Sequence, residues 1–427
     1  MTRRLDLGKE AIFPLILKMS WPSIIAMTAM SVYNFIDTFW LARLSSQALA
    51  ALTVCFPIQM IFAAIGVGTG IGAGSFSARM FGAGKIIQAR LTAGKIFPLS
   101  FFFGLLMIIL VLFFGDTILI SFGAFDDIMP LCHDYLYIIV FSSPFLFFSM
   151  MSNNLLRAEG RPLLSMNVVL IASISSAILD PFFIFGIGPF PRLGIKGAAL
   201  AAVIAQCVAC IFSVYFLQLK SSKYELRWKY LFPDISTINS IFSTGLPSIA
   251  TNLVVSLVLV IYNHVLAHFG FQAIAALGIC FRVNSLVTMV LFGIGFGLMP
   301  VVGFSSGARL FQRLRESVLV ALKVSVFFAA VASILLEIFS GQIVGIFSND
   351  PQLVAIATPA LRIFASALIL TAPIVTFYKY VFRVRQRNSG HVFTFLSRHY
   401  CLHSPFTYFT LLVWSLGRLA CNAFSQT

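Results

Sequence analysis

Long apolar runs separated by short polar stretches set the rhythm of this chain. Runs long enough for a hydrocarbon core roughly 30 Å thick lie near residues 15–39, 48–76, 92–115, 131–152, 163–187, 194–219, 244–267, 275–302, 320–346 and 353–378. In lipid a spanning segment must satisfy its own backbone groups, so each run predicts an α-helix. The polar stretches between them carry sorted charge. Arg3, Arg4 and Lys9 precede the first run; Arg79, Lys85, Arg90 and Lys95 follow the second; Arg157 and Arg161 follow the fourth. Lys220, Lys223, Arg227 and Lys229 follow the sixth, and Arg309, Arg313 and Arg315 the eighth. The alternate connections hold Asp116, Asp126, Asp127, Asp134 and Asp350 instead. Basic loops stay in the cytoplasm, which puts the N terminus and residues 220–243 on that side. Arg192 and Lys196 run against the trend without reversing it.

The pattern repeats. At a shift of 225 residues WPSIIAMTAM meets LPSIATNLVV, and LARLSSQALAALTVCF meets LAHFGFQAIAALGICF. Roughly 20 of about 69 positions between Pro22 and Arg90 are identical without a gap, among them Ser31/Ser256, Cys55/Cys280, Gly68/Gly293, Gly72/Gly297 and Gly82/Gly307. Two halves that both begin in the cytoplasm and lie six spans apart are parallel repeats about an axis along the membrane normal, a transporter architecture. The division expected is an N-lobe over 1–219, a cytoplasmic linker over 220–243, a C-lobe over 244–378 and a departing tail over 379–427.

Composition narrows the class. The 427 residues are 59% hydrophobic and only 10% charged, too few polar groups to cover a soluble globule. The net charge of +15 then belongs to the inner loops rather than to a nucleic-acid surface. The N-terminal residues run directly into the first span, so no cleavable signal is expected. Cys207 and Cys210 form a CxxC inside an apolar helix without a second ligand pair, and His264 and His268 lack a third ligand, so no metal or redox centre is expected. The glycines at 66, 68, 70, 72 and 74 follow no strand, which fits close helix packing rather than a phosphate loop.

Acids inside the spans are few. Asp180 lies in AILDPFFIFG about 25 Å from the cytoplasmic start of its run, and Asp37 in YNFIDTFWLARL reaches the same outer side. Glu337 reads as an interfacial acid. A carboxylate at such depth is costly, its pKa rises, and a second carboxylate raises it further, so the pair can exchange H⁺ near neutral pH or hold Na⁺ with neighbouring oxygens. Pro181 supplies a bend and a freed carbonyl. Tyr33, Asn34, Asn153, Asn154, Gln206, Asn252 and Asn284 are the uncharged polar candidates for a water-filled substrate path, with Asn167 and Asn263 as further intramembrane amides.

The segments SWPSIIAMTAMSVYNFIDTFWLARL, GTGIGAGSFSARMFGAGK, LLRAEGRPLLSMNVVLIASISSAILDPFFIFG, IKGAALAAVIAQ and FGFQAIAALGICFRVNSL resemble the multidrug and toxic compound extrusion (MATE) family, bacterial type, over residues 10 to 376. The resemblance implies an all-α polytopic membrane protein of two six-helix lobes. It implies a monomeric antiporter in the bacterial cytoplasmic membrane, exporting amphipathic organic cations by alternating access. It places Asp37 and Asp180 in an N-lobe site for H⁺ or Na⁺. Ser176 occupies a ligand position where the family often has Asn and Ala202 stands where many members have Thr, which leaves fewer ligands for Na⁺ at that site; the seventh span has no acid, so a cation site in the second lobe is not expected.

From residue 379 the chain departs. YKYVFRVRQRNSGHVFTFLSRHYCLHSPFTYF replaces the expected glycine-rich turn and paired spans, which points to a change of reading frame near 378 and an incomplete second lobe. Two alternatives stand beside the antiporter: a flippase of lipid-linked envelope precursors, and a truncated transporter that no longer works. No enzyme chemistry is expected, since the intramembrane His and Asp residues do not cluster.

Overall fold

The computed structural model describes residues 5–124, 128–219, 222–224, 235–267, 271–347 and 351–384. Among them secondary structure is helical throughout. The first half holds α1 (Ile12–Leu44), α2 (Ser46–Gly82), α3 (Ile86–Ser121), α4 (Met129–Ile139), α5 (Ser143–Ala158), α6 (Pro162–Phe185) and α7 (Ile195–Gln218). The second half holds α8 (Ile235–Ala267), α9 (Phe271–Gly307), α10 (Phe311–Ile338), α11 (Ser340–Phe347) and α12 (Pro351–Val384). Nine helical segments among the described residues are long and apolar enough to cross a bilayer. The tail from 385 onward, with Cys401 and Cys421, lies outside the described residues, as do the side chains of Asn263 and His264 and all of His268.

Two spans differ from the expected runs. The fourth bends at a 3₁₀ turn, Val140–Ser142, where α4 gives way to α5. Ser142 and Ser143 donate their hydroxyls to Ile139 O and Val140 O at 2.7 and 2.6 Å, and Pro144 withholds an amide just beyond. The ninth ends at Ile338, and a separate α11 follows where one run to 346 was expected. Hydropathy averaged over a span reads straight through both breaks because the few polar residues there, Ser142 and Ser143, and Ser340 and Gln342, are flanked by apolar ones.

The chain divides into two compact units, one of residues Met1–Leu257 with Phe292–Ala321, the other of Val258–Leu291 with Leu322–Thr427. In the first, α2 is the organising helix. Its glycines fall into two rows on opposite faces, with about one turn between successive glycines of each row. Gly66, Gly70 and Gly74 lie against Met150 and Asn154 of α5, while Gly68 and Gly72 lie against Ile249, Ile241 and Gly245 of α8. Lipid supplies no hydrophobic drive for helix association, so such close backbone approach is what holds the bundle. Exposed Phe101, Phe102, Phe113 and Phe114 cover the lipid side of α3.

The repeat is legible in these contacts. Gly68 meets Ile249 and Gly293 meets Ile24; each pair is the other shifted by 225. Gly82 abuts the carbonyl of Phe304 and Gly307 abuts the carbonyl of Arg79, again one contact made twice. The Gly82 and Gly307 crossings lie at the C-terminal ends of α2 and α9, beside the basic loops.

Two tethers end near the turn after α5. The Glu159 carboxylate accepts from Ser222 Oγ at 3.1 Å and from the Lys223 amide, and Tyr224 lies buried with its hydroxyl 2.6 Å from Ser77 Oγ and donating to Leu155 O at 3.1 Å. The other tether is the N-terminal segment, whose Leu5 amide donates to Gly160 O at 3.1 Å. Toward the opposite rim, Lys196 pairs with Asp134 at 3.2 Å, so this basic residue, which runs against the charge trend, meets a local acid.

In the second unit Cys280, Val283, Leu361, Phe364 and Ala365 form a small core. Cys280 Sγ donates to Ala357 O at 3.9 Å, as Cys55 Sγ does to Cys132 O at 3.8 Å in the first; the pairs correspond through the same shift.

Candidate cation site

Helix α6 packs along both α1 and α7. Asp37 stands seven residues before the end of α1 and Asp180 five before the end of α6, about 8–10 Å from the same rim. Both are buried, Asp180 with no exposed surface at all. Neither Asp180 oxygen has a hydrogen-bond partner among the described residues, and no Lys, Arg or His pairs with it. The Ser176 hydroxyl, one turn earlier, is equally bare. It faces the Tyr33 phenol outside hydrogen-bonding geometry, and that phenol lies within electrostatic reach of both carboxylates. Pro181 has no amide to give, so the Ala177 carbonyl is an additional free oxygen on this turn.

Such a cluster contradicts the rule that buried carboxylates are paired. Two carboxylates, a hydroxyl, a phenol and a carbonyl form an all-oxygen donor set that suits a proton or a hard monovalent cation. Among the described residues no three His, Cys, Asp or Glu side chains gather as a metal site.

Two neighbours escaped the sequence reading. Gln59 of α2 donates Nε2 to the Tyr135 hydroxyl at 2.9 Å, and Tyr135 of α4, buried, lies within electrostatic reach of Asp37 and Tyr33. A signal existed: Gln59 aligns with Asn284 in the repeat. The second repeat places Val258, Tyr262 and Ala360 where the first has Tyr33, Asp37 and Tyr135. Asn284 Oδ1 is buried without a hydrogen-bond partner among the described residues.

The remaining polar candidates do not join the carboxylates. Asn153 Oδ1 accepts from Arg157 at 3.3 Å and from Ser165 Oγ, at the start of α6 and about 22 Å from Asp180 along the helix. Asn154 Nδ2 donates to Met150 O at 2.9 Å, against the α2 glycines. Asn34 is exposed on α1, Asn252 is exposed on α8 and donates to Ser248 O at 2.8 Å, and Gln206 is half-buried on α7.

Residues 22–182 and 247–409 each match the protein family described as MatE, and the two matches begin 225 residues apart. The chain belongs to the MATE family. The second match runs past residue 379 into the tail. A FAD transporter of Shewanella oneidensis is 32% identical over 341 residues, 79% of this chain and 75% of that protein. The multidrug export protein MepA of Staphylococcus haemolyticus is 27% identical over 364 residues, 85% of this chain and 79% of MepA. An outward-facing multidrug resistance MATE transporter of the MOP superfamily superposes with a TM-score of 0.84 at 25% identity, over 90% of this chain and 85% of that one. The protein is therefore a multi-pass membrane transporter of the MATE fold and not an enzyme.

Proposed function

We propose that this MATE protein is an antiporter that exports amphipathic organic compounds from the cytoplasm in exchange for H⁺ or Na⁺ entering at Asp37 and Asp180. The observation that carries this is the bare Asp180 carboxylate, buried beside Asp37 with no counter-charge. An ionised pair in that setting is unfavourable, and a bound cation relieves it, so occupancy and conformation are linked through the difference in cation affinity between two states. Tyr33 and Ser176 add neutral oxygens, and the Gln59–Tyr135 bond fixes the phenol that borders Asp37. We place the protein in the bacterial cytoplasmic membrane as a monomer, N terminus inside, with the lobes divided at the 220–243 linker. Bilayer and substrate are then its only partners. Fluorescent organic-cation efflux from vesicles, under imposed proton or sodium gradients, tests this with the full chain. Gradient-driven transport lost in Asp180→Asn supports it; full transport by that variant refutes the coupling site.

A second substrate reading is favoured by the 32% identical relative named as a FAD transporter. A flavin dinucleotide is anionic and amphipathic, and the same vesicles loaded with FAD separate the readings by which cargo moves.

A further inference from the structure

The N-terminal segment is built into the molecule more firmly than a leader needs. Asp6 Oδ1 accepts from the amides of Gly8 and Lys9 at 2.9 and 3.2 Å, and Glu10 Oε1 accepts from the Asp6 amide at 3.2 Å. This closed turn is tied at both ends. Leu5 donates to Gly160 O of the first repeat at 3.1 Å. Arg313 of the second repeat donates Nε to Leu7 O at 3.0 Å and an Nη2 proton to Glu10 O at 2.6 Å, from more than 300 residues away. Between these ties Leu7 is buried with Leu15, Met19 and Val301, and Gly8 lies on the Phe304 ring. Gly293, Gly297, Val301 and Ser305 form one row on α9, turn upon turn. Gly293 and Gly297 face Ile24 and Ser20 of α1, and the strap covers the row at its inner end.

We propose that residues 5–10 are a latch that holds the inner ends of the two repeats together, with Arg313 as its catch. It rests on the alternating-access reading, since only a protein that opens inward has to release such a strap. Separating the repeats at this end must break the Arg313 bonds or the Leu5 bond, and must draw Leu7 out of its apolar seat. The inner closure is thereby biased shut by a segment that touches neither cation nor cargo.

The test is thiol labelling of the purified full chain with a membrane-impermeant maleimide, read against the same chain without the introduced cysteine. Two reporters are used. Ser305→Cys lies on α9 one turn beyond Val301 and next to Phe304, which the strap touches, and Thr69→Cys sits on α2 beside Gly245 of α8, away from it; both hydroxyls are buried and without partners among the described residues, so sulfur replaces them at little cost. Arg313→Ala removes two charge-assisted bonds and should speed labelling at both positions by about tenfold or more. Leu7→Ala, which keeps Arg313, should act in the same direction if Arg313→Ala fails to fold. Faster labelling at Ser305→Cys alone means that the strap is only a cover, and overturns the latch. No change at either position overturns it as well. Labelling needs neither gradient nor cargo, so a latch found without coupled transport would leave the latch standing and remove the antiporter.

Discussion

Gly82→Ala is the sharpest test of the α2–α9 crossing. A methyl group built on Gly82 would stand 2.0 Å from the Phe304 carbonyl oxygen, whereas carbon–oxygen contacts at helix interfaces settle at about 3.3–3.6 Å. The obstacle is backbone on both sides, so no rotamer relieves it, and α2 and α9 must part by more than about 1 Å. Overpacking of this kind costs about 1–3 kcal/mol. That cost applies only while the crossing is closed, so the closed form loses about 5- to 150-fold in population. Labelling of the Thr69→Cys thiol should accelerate accordingly in the Gly82→Ala background. Gly307→Ala, which meets the Arg79 carbonyl, should do the same. Gly345→Ala is the control, since nothing lies within 4 Å of its added methyl. If Gly82→Ala and Gly345→Ala label alike, the closed form does not depend on this crossing and the reasoning fails.

Other outcomes follow from the same contacts. Tyr224→Phe strips the hydroxyl from Ser77 and Leu155 and should lower stability by about 1–3 kcal/mol; thermal unfolding in detergent reads this, and an unchanged midpoint argues against a docked linker. Asn284→Leu removes a buried oxygen that has no partner and should leave the unfolding midpoint unchanged or higher; a clear fall would mean that Oδ1 is satisfied in the working protein. Lys196→Ala breaks a half-exposed ion pair and should cost less than about 1 kcal/mol, shrinking further in high salt. Gly197→Ala sets a methyl 2.3 Å from the Phe183 carbonyl at the α6–α7 turn and should sharply reduce folded protein on size-exclusion chromatography.

The helices and their order were legible because each apolar run exceeds what a soluble protein would need, and the repeat was legible because small residues persist at one shift. Residue type and depth also put Asp37 and Asp180 near one rim, and α1 and α6 carry both there, buried. Gln59 and Tyr135 could not, since an amide and a phenol in apolar helices are common and only packing shows that they meet. Asn153 and Asn154 sounded like cavity residues for the opposite reason. Their partners, Arg157 one turn on and the glycines of α2, looked like loop charge and helix filler when read in sequence. The breaks at Val140–Ser142 and Phe339 leave only a short trace, Ser142-Ser143-Pro144 and Ser340-Gly341-Gln342, which averaging over a whole span hides.

The crossing of α2 and α9 has a mechanical consequence. The pseudo-two-fold axis relates Gly82 on Phe304 to Gly307 on Arg79, so the two contacts are images of one another. Any motion that preserves the axis stretches both by the same amount. The crossing thus has no symmetric half-open state in which one contact bears the load while the other is released, and it yields as a single unit.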